Sequence, residues 1–362
     1  MYNYDDFEIY MCQEEPDKQY RGAAWATAIG LQEVDGLTTS KYLRDTALRN
    51  IQGEISMNEA RELINSYYER KDIRASFNSD TEQADKVSAN IAAMLGEEAF
   101  VFSPAGLISI HRRIFQGVFA HAGRIREYNI TKREWVLDGD TVLYSPASEI
   151  LPTLEYDFGL EKKFSYRGLD IDAVINHIIE FISGIWQIHP FEEGNTRTTA
   201  VFLIKFLRSL GYYVDNKPFA ENSWYFRNAL VRANVKNPSK GIEQTDEYLK
   251  RFFENLLKGT NHELKNRYMH IRFVGEELGR SPDGVCERLS DRAIEVARIV
   301  KDGPKSRGDI MKALGLNHIP TFRKNYLRPA LEAGIVERTI PEKPTVSNQK
   351  YRLTDKGKSI LG

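Results

Sequence analysis

Cysteine is scarce in this chain and long apolar runs are missing, and each shortage excludes a class of protein. Cys12 and Cys286 are its two cysteines, and neither lies at a paired-ligand spacing. A disulfide framework and a cysteine-built zinc site are both unsupported, so the two are read as free thiols. No stretch approaches the roughly 18 consecutive apolar residues of a membrane helix, and no membrane span is expected. The amino-terminal segment MYNYDDFEIYMCQEEPDKQY is acidic and polar, without the basic-then-apolar order of a secretion signal. Cytoplasmic residence is the resulting expectation. Charge of either sign is barely in excess, 50 Lys+Arg against 51 Asp+Glu, so the whole chain is not expected to coat nucleic acid. Internal repeats and low-complexity tracts are absent too. What remains is an ordinary globular balance over 362 residues, 41% hydrophobic and 28% charged, enough for two or three cores.

Apolar residues recur at helical spacing over 40–50, 58–68 and 80–94, the last opened by the capping residues Ser79-Asp80-Thr81-Glu82. Further helices are expected over 171–187, 196–210 and 224–234. Most strand signal lies in 135–144, where Leu137, Val142 and Leu143 flank the hairpin dipeptide Asp138-Gly139. The tail from Ser290 carries 15 Lys+Arg against 8 Asp+Glu, a local balance of +7. It reads as helices over 292–301, 306–314 and 321–333, then strands over 335–340 and 350–354 around a Pro-rich turn. That order resembles a winged helix, in which Arg323, Lys324 and Arg328 lie along the third helix where they could meet DNA phosphate or simply form a solvated face.

Residues 189–197 read His-Pro-Phe-Glu-Glu-Gly-Asn-Thr-Arg. Pro190 disfavours helix at His189 and Gly194 permits a tight turn, so one helix stops and another starts near Asn195. The start of the second helix offers unpaired N–H groups and a positive dipole, with Arg197 in its first turn, which suits phosphate. A lone histidine before Pro-Phe is usually a cap or partly buried; the Gly-Asn-x-Arg continuation moves it toward catalysis. Phe191, Trp186 and Ile188 read as core, and His111 and His121 as structural.

At these residues the chain closely resembles the Fic family, whose signature is His-x-Phe-x-(Asp/Glu)-Gly-Asn-Gly-Arg-x-x-Arg. The likeness extends to HRRIFQGVFAHAGRIR at 111–126 and TVLYSPASEILPTL at 141–154, covering roughly 79–257. It implies a mainly α protein: an all-helical Fic core with a short β-hairpin flap, plus a carboxy-terminal winged helix-turn-helix domain. The implied domains are an amino-terminal, antitoxin-like helical region at 1–78, a Fic domain at 79–260, a linker at 261–289 and the winged helix at 290–362. The implied activity is transfer of AMP from ATP, with Mg2+, to a Ser, Thr or Tyr hydroxyl of a target protein or of the chain itself. His189 would be the general base and Glu193 the metal ligand. Gly194, Asn195, Thr196 and Arg197 would hold phosphate, and Thr141, Val142, Leu143 and Tyr144 would dock the target strand.

Two positions depart from the signature. Thr196 replaces a glycine, and Ala200 replaces the second arginine, which in the family holds terminal phosphates or pairs with an inhibitory glutamate. Asn228 and Arg232 are considered as substitute polar groups. The segment 47–68 resembles the inhibitory helix but carries Ile51-Gln52-Gly53 without the carboxylate; Leu31 to Gly36 (LQEVDG), with Asp35, is a second degenerate copy or an ordinary turn. Two further readings stand beside the enzyme. One is a DNA-binding regulator with a nucleotide-sensing Fic-like domain, the other a Fic enzyme that transfers a different phosphate-containing group. A homo-oligomer is left open.

Overall fold

The computed structural model describes residues 15–70, 79–214, 216–240, 242–271, 291–316, 322, 326–332, 334–339 and 349–361. It divides into two units, Met1–Phe273 and Val274–Gly362, and the architecture is mainly helical. None of the described helices is long and apolar enough to cross a membrane.

In the first unit the helices are α1 (Pro16–Gly30), α2 (Lys41–Gln52), α3 (Met57–Glu69), α4 (Ser79–Leu95), α5 (Pro104–Phe115), α6 (Ile150–Glu161), α7 (Ile171–Ile188), α8 (Asn195–Ser209), α9 (Lys217–Ala233) and α10 (Glu247–Lys258). Their starts follow from local chemistry. Ser40 accepts the Leu43 N–H ahead of α2, Ser56 and Glu59 close a capping box ahead of α3, and Asp170 accepts the Ala173 N–H ahead of α7. A left-handed Gly36 ends the short 3-10 turn Leu31–Asp35 that follows α1. Helix α8 is buried on every side from Asn195 to Leu207, as expected of a helix at the centre of a bundle. Its Phe202 and Leu203 are fully enclosed, each contributing about 2 kcal/mol by burial. Even Lys205 lies inside, donating to the Met94 and Glu97 carbonyls, and burial pulls its ammonium down to about 8. Helices α1 to α4 share one apolar core with α5 to α10.

Two segments differ from expectation. Residues 135–144 do not pair as strands: Trp135–Leu137 coils into a 3-10 turn, Asp138 is left-handed, and the turn closes through main-chain bonds of Glu134 with Asp140 and Gly139. Neighbouring Val136 and Leu137 are both buried, which breaks the inside-outside alternation a strand needs. Helix α9 begins seven residues before position 224, bending at Asn222, whose φ of −134° is non-helical.

The second unit contains α11 (Asp291–Ile299), β1 (Lys305–Ser306), α12 (Arg307–Ala313), α13 (Arg328–Glu332), β2 (Val336–Arg338), β3 (Lys350–Leu353) and α14 (Asp355–Leu361). The sheet is antiparallel in the order β1-β3-β2, with Lys305 opposite Tyr351 and Val336 opposite Leu353. Strand β1 was not expected. Ala293, Val296, Ile310, Phe322, Ile335 and Leu353 form its core. Arg323 and Lys324, named as DNA contacts, lie outside the described residues; Arg328 is exposed at the start of α13.

Candidate active site

The motif loop joins α7 to α8 and is closed by its own side chains. His189 ends α7 in the left-handed region (φ 51°, ψ 59°), where Pro190 forbids another helical turn. Gly194 is also left-handed (φ 75°), and a Cβ there would sit 2.2 Å from the Phe115 ring, so no other residue fits. Between them the Phe191 N–H donates to Asn195 Oδ1 (3.0 Å) and Asn195 Nδ2 donates to the Phe191 carbonyl (2.7 Å). The Asn195 amide expected to face phosphate is therefore engaged in holding the loop's shape.

The His189 ring is held in its neutral form. Nδ1 lies 3.2 Å from the Trp186 carbonyl, which can only accept, so the proton belongs on Nδ1 and the lone pair on Nε2. Nε2 is buried and has no partner. Burial first, then the charges of Lys132, Arg227 and Arg126, hold the imidazole well below its ordinary range. The residue is only 3% exposed because Tyr144 lies over the ring at 4.3 Å between centroids. Tyr144 is fixed by donating its hydroxyl to buried Glu134 (3.0 Å), which pairs with Arg227 (2.7 Å). Burial and the Glu134 charge push that phenol upward.

Two residues outside the motif set its shape. Arg126 donates to four carbonyls: His189 (2.8 Å), Ile188 (3.2 Å), Tyr128 (2.7 Å) and Ser145 (2.5 Å). It thereby fastens the backbone of the base to the segment that carries Tyr144. His111 stacks on Phe191 at 3.8 Å, accepts the Gly123 N–H on Nδ1 and donates from Nε2 to the Glu193 carbonyl. The structural reading of His111 acquires a specific role, since both ring nitrogens hold the loop only while the ring is neutral.

That arrangement predicts acid sensitivity. Burial holds His111 down to about 4, whereas an unfolded imidazole titrates near 6.5. Between those values the unfolded chain binds more protons, so the stabilisation is complete above about pH 6.5 and is lost as pH falls toward 4. His189 acts in the same direction. Melting temperature should fall steeply over that interval, by the equivalent of about 3 kcal/mol for His111 alone, and His111→Gln should flatten the fall. An equally steep fall in that variant would remove His111 as the cause.

Arg197 is 1% exposed and already has an anion. Its Nη2 is 2.8 Å from Asp35 Oδ2, its Nη1 donates to Gln32 Oε1 at 2.9 Å, and its guanidinium lies over Phe115 at 4.8 Å. Both partners belong to the Leu31–Asp35 turn, so LQEVDG, and not the segment with Gln52, reaches the motif. Gln52 is exposed at the end of α2, whose last turn is tied to α1 through Asn50, Trp25 and Arg21.

The two signature departures are both turned inward. Thr196 Oγ1 accepts the Trp186 indole N–H (2.9 Å), cross-linking α8 to α7, and Ala200 is fully enclosed in the core. Glu193 is exposed beside the start of α8. Of the docking residues, Val142 is buried, Thr141 is half-buried, Tyr144 covers the base, and Leu143 is 83% exposed while its carbonyl accepts from Gln187 (3.1 Å). Asn228 and Arg232 have partners outside the motif: Asn228 donates to Asn266 and Arg232 to the Met269 and Glu243 carbonyls. Sequence reasoning missed Lys132, Arg227 and Glu134 altogether and named Gln32 only as part of LQEVDG; only the family-like segment 111–126 hinted at Arg126.

Comparison with known proteins bears on these residues. The Fic/DOC family profile matches residues 101–207, and the profile described as filamentation induced by cAMP protein Fic-like, C-terminal domain, matches 291–354. A protein adenylyltransferase of Bartonella henselae is 24% identical over 236 residues, 61% of this chain and 39% of that protein. Protein adenylyltransferase VbhT of Bartonella schoenbuchensis is 30% identical over 106 residues, 29% of this chain and 21% of its own. The matches thus span well under half of these relatives' lengths. A Fic family protein of Desulfovibrio desulfuricans G20, solved by crystallography, aligns over 95% of this chain and 98% of its own with 21% identity and a TM-score of 0.38. The chain thus carries a Fic domain, with the loop described above inside it, and a Fic-like carboxy-terminal domain.

Proposed function

We propose that the chain transfers AMP from ATP to a hydroxyl of a target protein or of itself, with His189 as general base. The observation that carries this reading is the orphaned Nε2 of a neutral His189, placed one loop away from the α8 start and Arg197. The target Ser, Thr or Tyr oxygen attacks the α-phosphorus, its proton passes to Nε2, and the bond to the bridging oxygen breaks to release pyrophosphate. The α8 N-terminus and Arg197 hold the phosphates during attack. Exposed Leu143 offers an apolar contact for the target segment.

Magnesium fits as a companion of the nucleotide. It prefers one or two carboxylates together with phosphate oxygens and waters, a set that the exposed carboxylate of Glu193 beside the helix start can complete. Among the described residues no group of three or more His, Cys, Asp or Glu could hold a metal by itself. Bound at Glu193, the ion would neutralise phosphate charge.

In the conformation described, Asp35 occupies Arg197 and Tyr144 covers His189, so nucleotide and target must displace both. Because Thr196 and Ala200 alter the signature, the transferred group is the point to test. With ATP labelled at the α position, a protein band in cell extract should become labelled; with γ label it should not. Label appearing from the γ position alone would replace AMP transfer by phosphate transfer.

A further inference from the structure

We propose that Lys132 is the second phosphate-holding cation of this site, closing on the terminal phosphates of ATP where the motif itself supplies only Arg197. The inference rests on the nucleotide-transfer reading above.

The Asp35 carboxylate is the anion that the structure places at the motif. It is gripped by Arg197 at 2.8 Å, and of the carboxylates whose charge reaches Lys132 it acts most strongly, ahead of Glu193 and Glu134. The lysine's own charge reaches His189. Lys132 Nζ reaches the motif loop itself, 3.4 Å from the Glu192 carbonyl and next in sequence to Glu193, so it approaches the segment between His189 and Arg197 from outside the motif. A phosphate that takes the place of the Asp35 carboxylate meets both cations.

The neighbouring cations are already committed. Arg227 is paired with buried Glu134 and packed over Trp224 at 5.1 Å, and Arg126 is held by four carbonyls. Lys132 Nζ has a long bond to the Glu192 carbonyl, 3.4 Å, and no carboxylate at ion-pair distance among the described residues. Burial lowers its affinity for a proton, the expected state of an ammonium held near a site without its counter-ion. Its backbone N–H donates to Thr141 Oγ1 (3.3 Å), which anchors the stem while four side-chain carbons leave the head free to swing. Enclosed Ala200 offers no cation of its own from α8.

Calorimetric titration of the full chain with ATP and with AMP, in magnesium, tests the assignment. Asp35→Asn serves as parent so that Arg197 is open. Adding Lys132→Met should weaken ATP binding by about tenfold or more while AMP affinity changes less than about threefold, and Lys132→Arg should restore ATP binding. Unchanged melting temperatures would show that the half-exposed position is not structural. ATP binding as tight in Lys132→Met as in the parent would overturn the role of Lys132 and leave the transfer reading intact. A parent that binds neither nucleotide would overturn the transfer reading, and this inference with it.

Discussion

Replacing His189 by alanine should lower the rate of label transfer from ATP by about 10²- to 10⁴-fold, the range that a positioned general base contributes. The ring's Nδ1 is committed to the Trp186 carbonyl and its Nε2 lone pair is unpartnered and basic, whereas the unpartnered Thr198 hydroxyl on α8 is too weak a base to take over the proton. Tyr144 cannot: its phenol is pushed upward by burial and by Glu134. Nucleotide affinity should change little, because the proposed reading places the phosphates at the α8 start and not at the ring. Loss of both binding and transfer would point instead to collapse of the loop that Arg126 fastens to the His189 carbonyl.

Asp35→Asn should have the second largest effect, and in opposite directions on stability and activity. The carboxylate is 42% exposed in its side chain while its partner Arg197 is 1% exposed, so removing it strands a buried guanidinium and lowers the melting temperature without nucleotide. The same change removes the anion from Arg197, where the proposed reading puts phosphate. ATP affinity and transfer rate should rise by about tenfold, since the competing contact no longer has to be broken. Gln52→Glu, at the exposed end of α2, should alter neither. A rise in melting temperature for Asp35→Asn, or a gain in Gln52→Glu as large, would refute the assignment of LQEVDG as the segment that occupies Arg197.

What was legible in the sequence was local. The helix starts at Ser40, Ser56 and Asp170, the stop at His189-Pro190 and the glycine demand at 194 all follow from a few adjacent residues. The partners of the Asn195 amide were not legible because they depend on loop closure, and here the loop folds back so that Phe191 engages both its oxygen and its nitrogen. The strand reading of 135–144 failed because consecutive Val136 and Leu137 both find core space. Gln32 lies 165 positions from Arg197, and no spacing rule joins them. LQEVDG was noticed, but its two copies could not be ranked until the turn after α1 was placed against α8. Lys132 and Arg227 carry no local sequence signal; only packing reveals that their charges bear on the His189 ring.

The most direct measurement compares four proteins with α-labelled ATP, magnesium and cell extract: the natural chain, Asp35→Asn, His189→Ala and the double variant. The account predicts more labelled protein with Asp35→Asn than with the natural chain and none with either histidine variant. A double variant that labels as strongly as Asp35→Asn would contradict it, because the proton acceptor would then lie elsewhere.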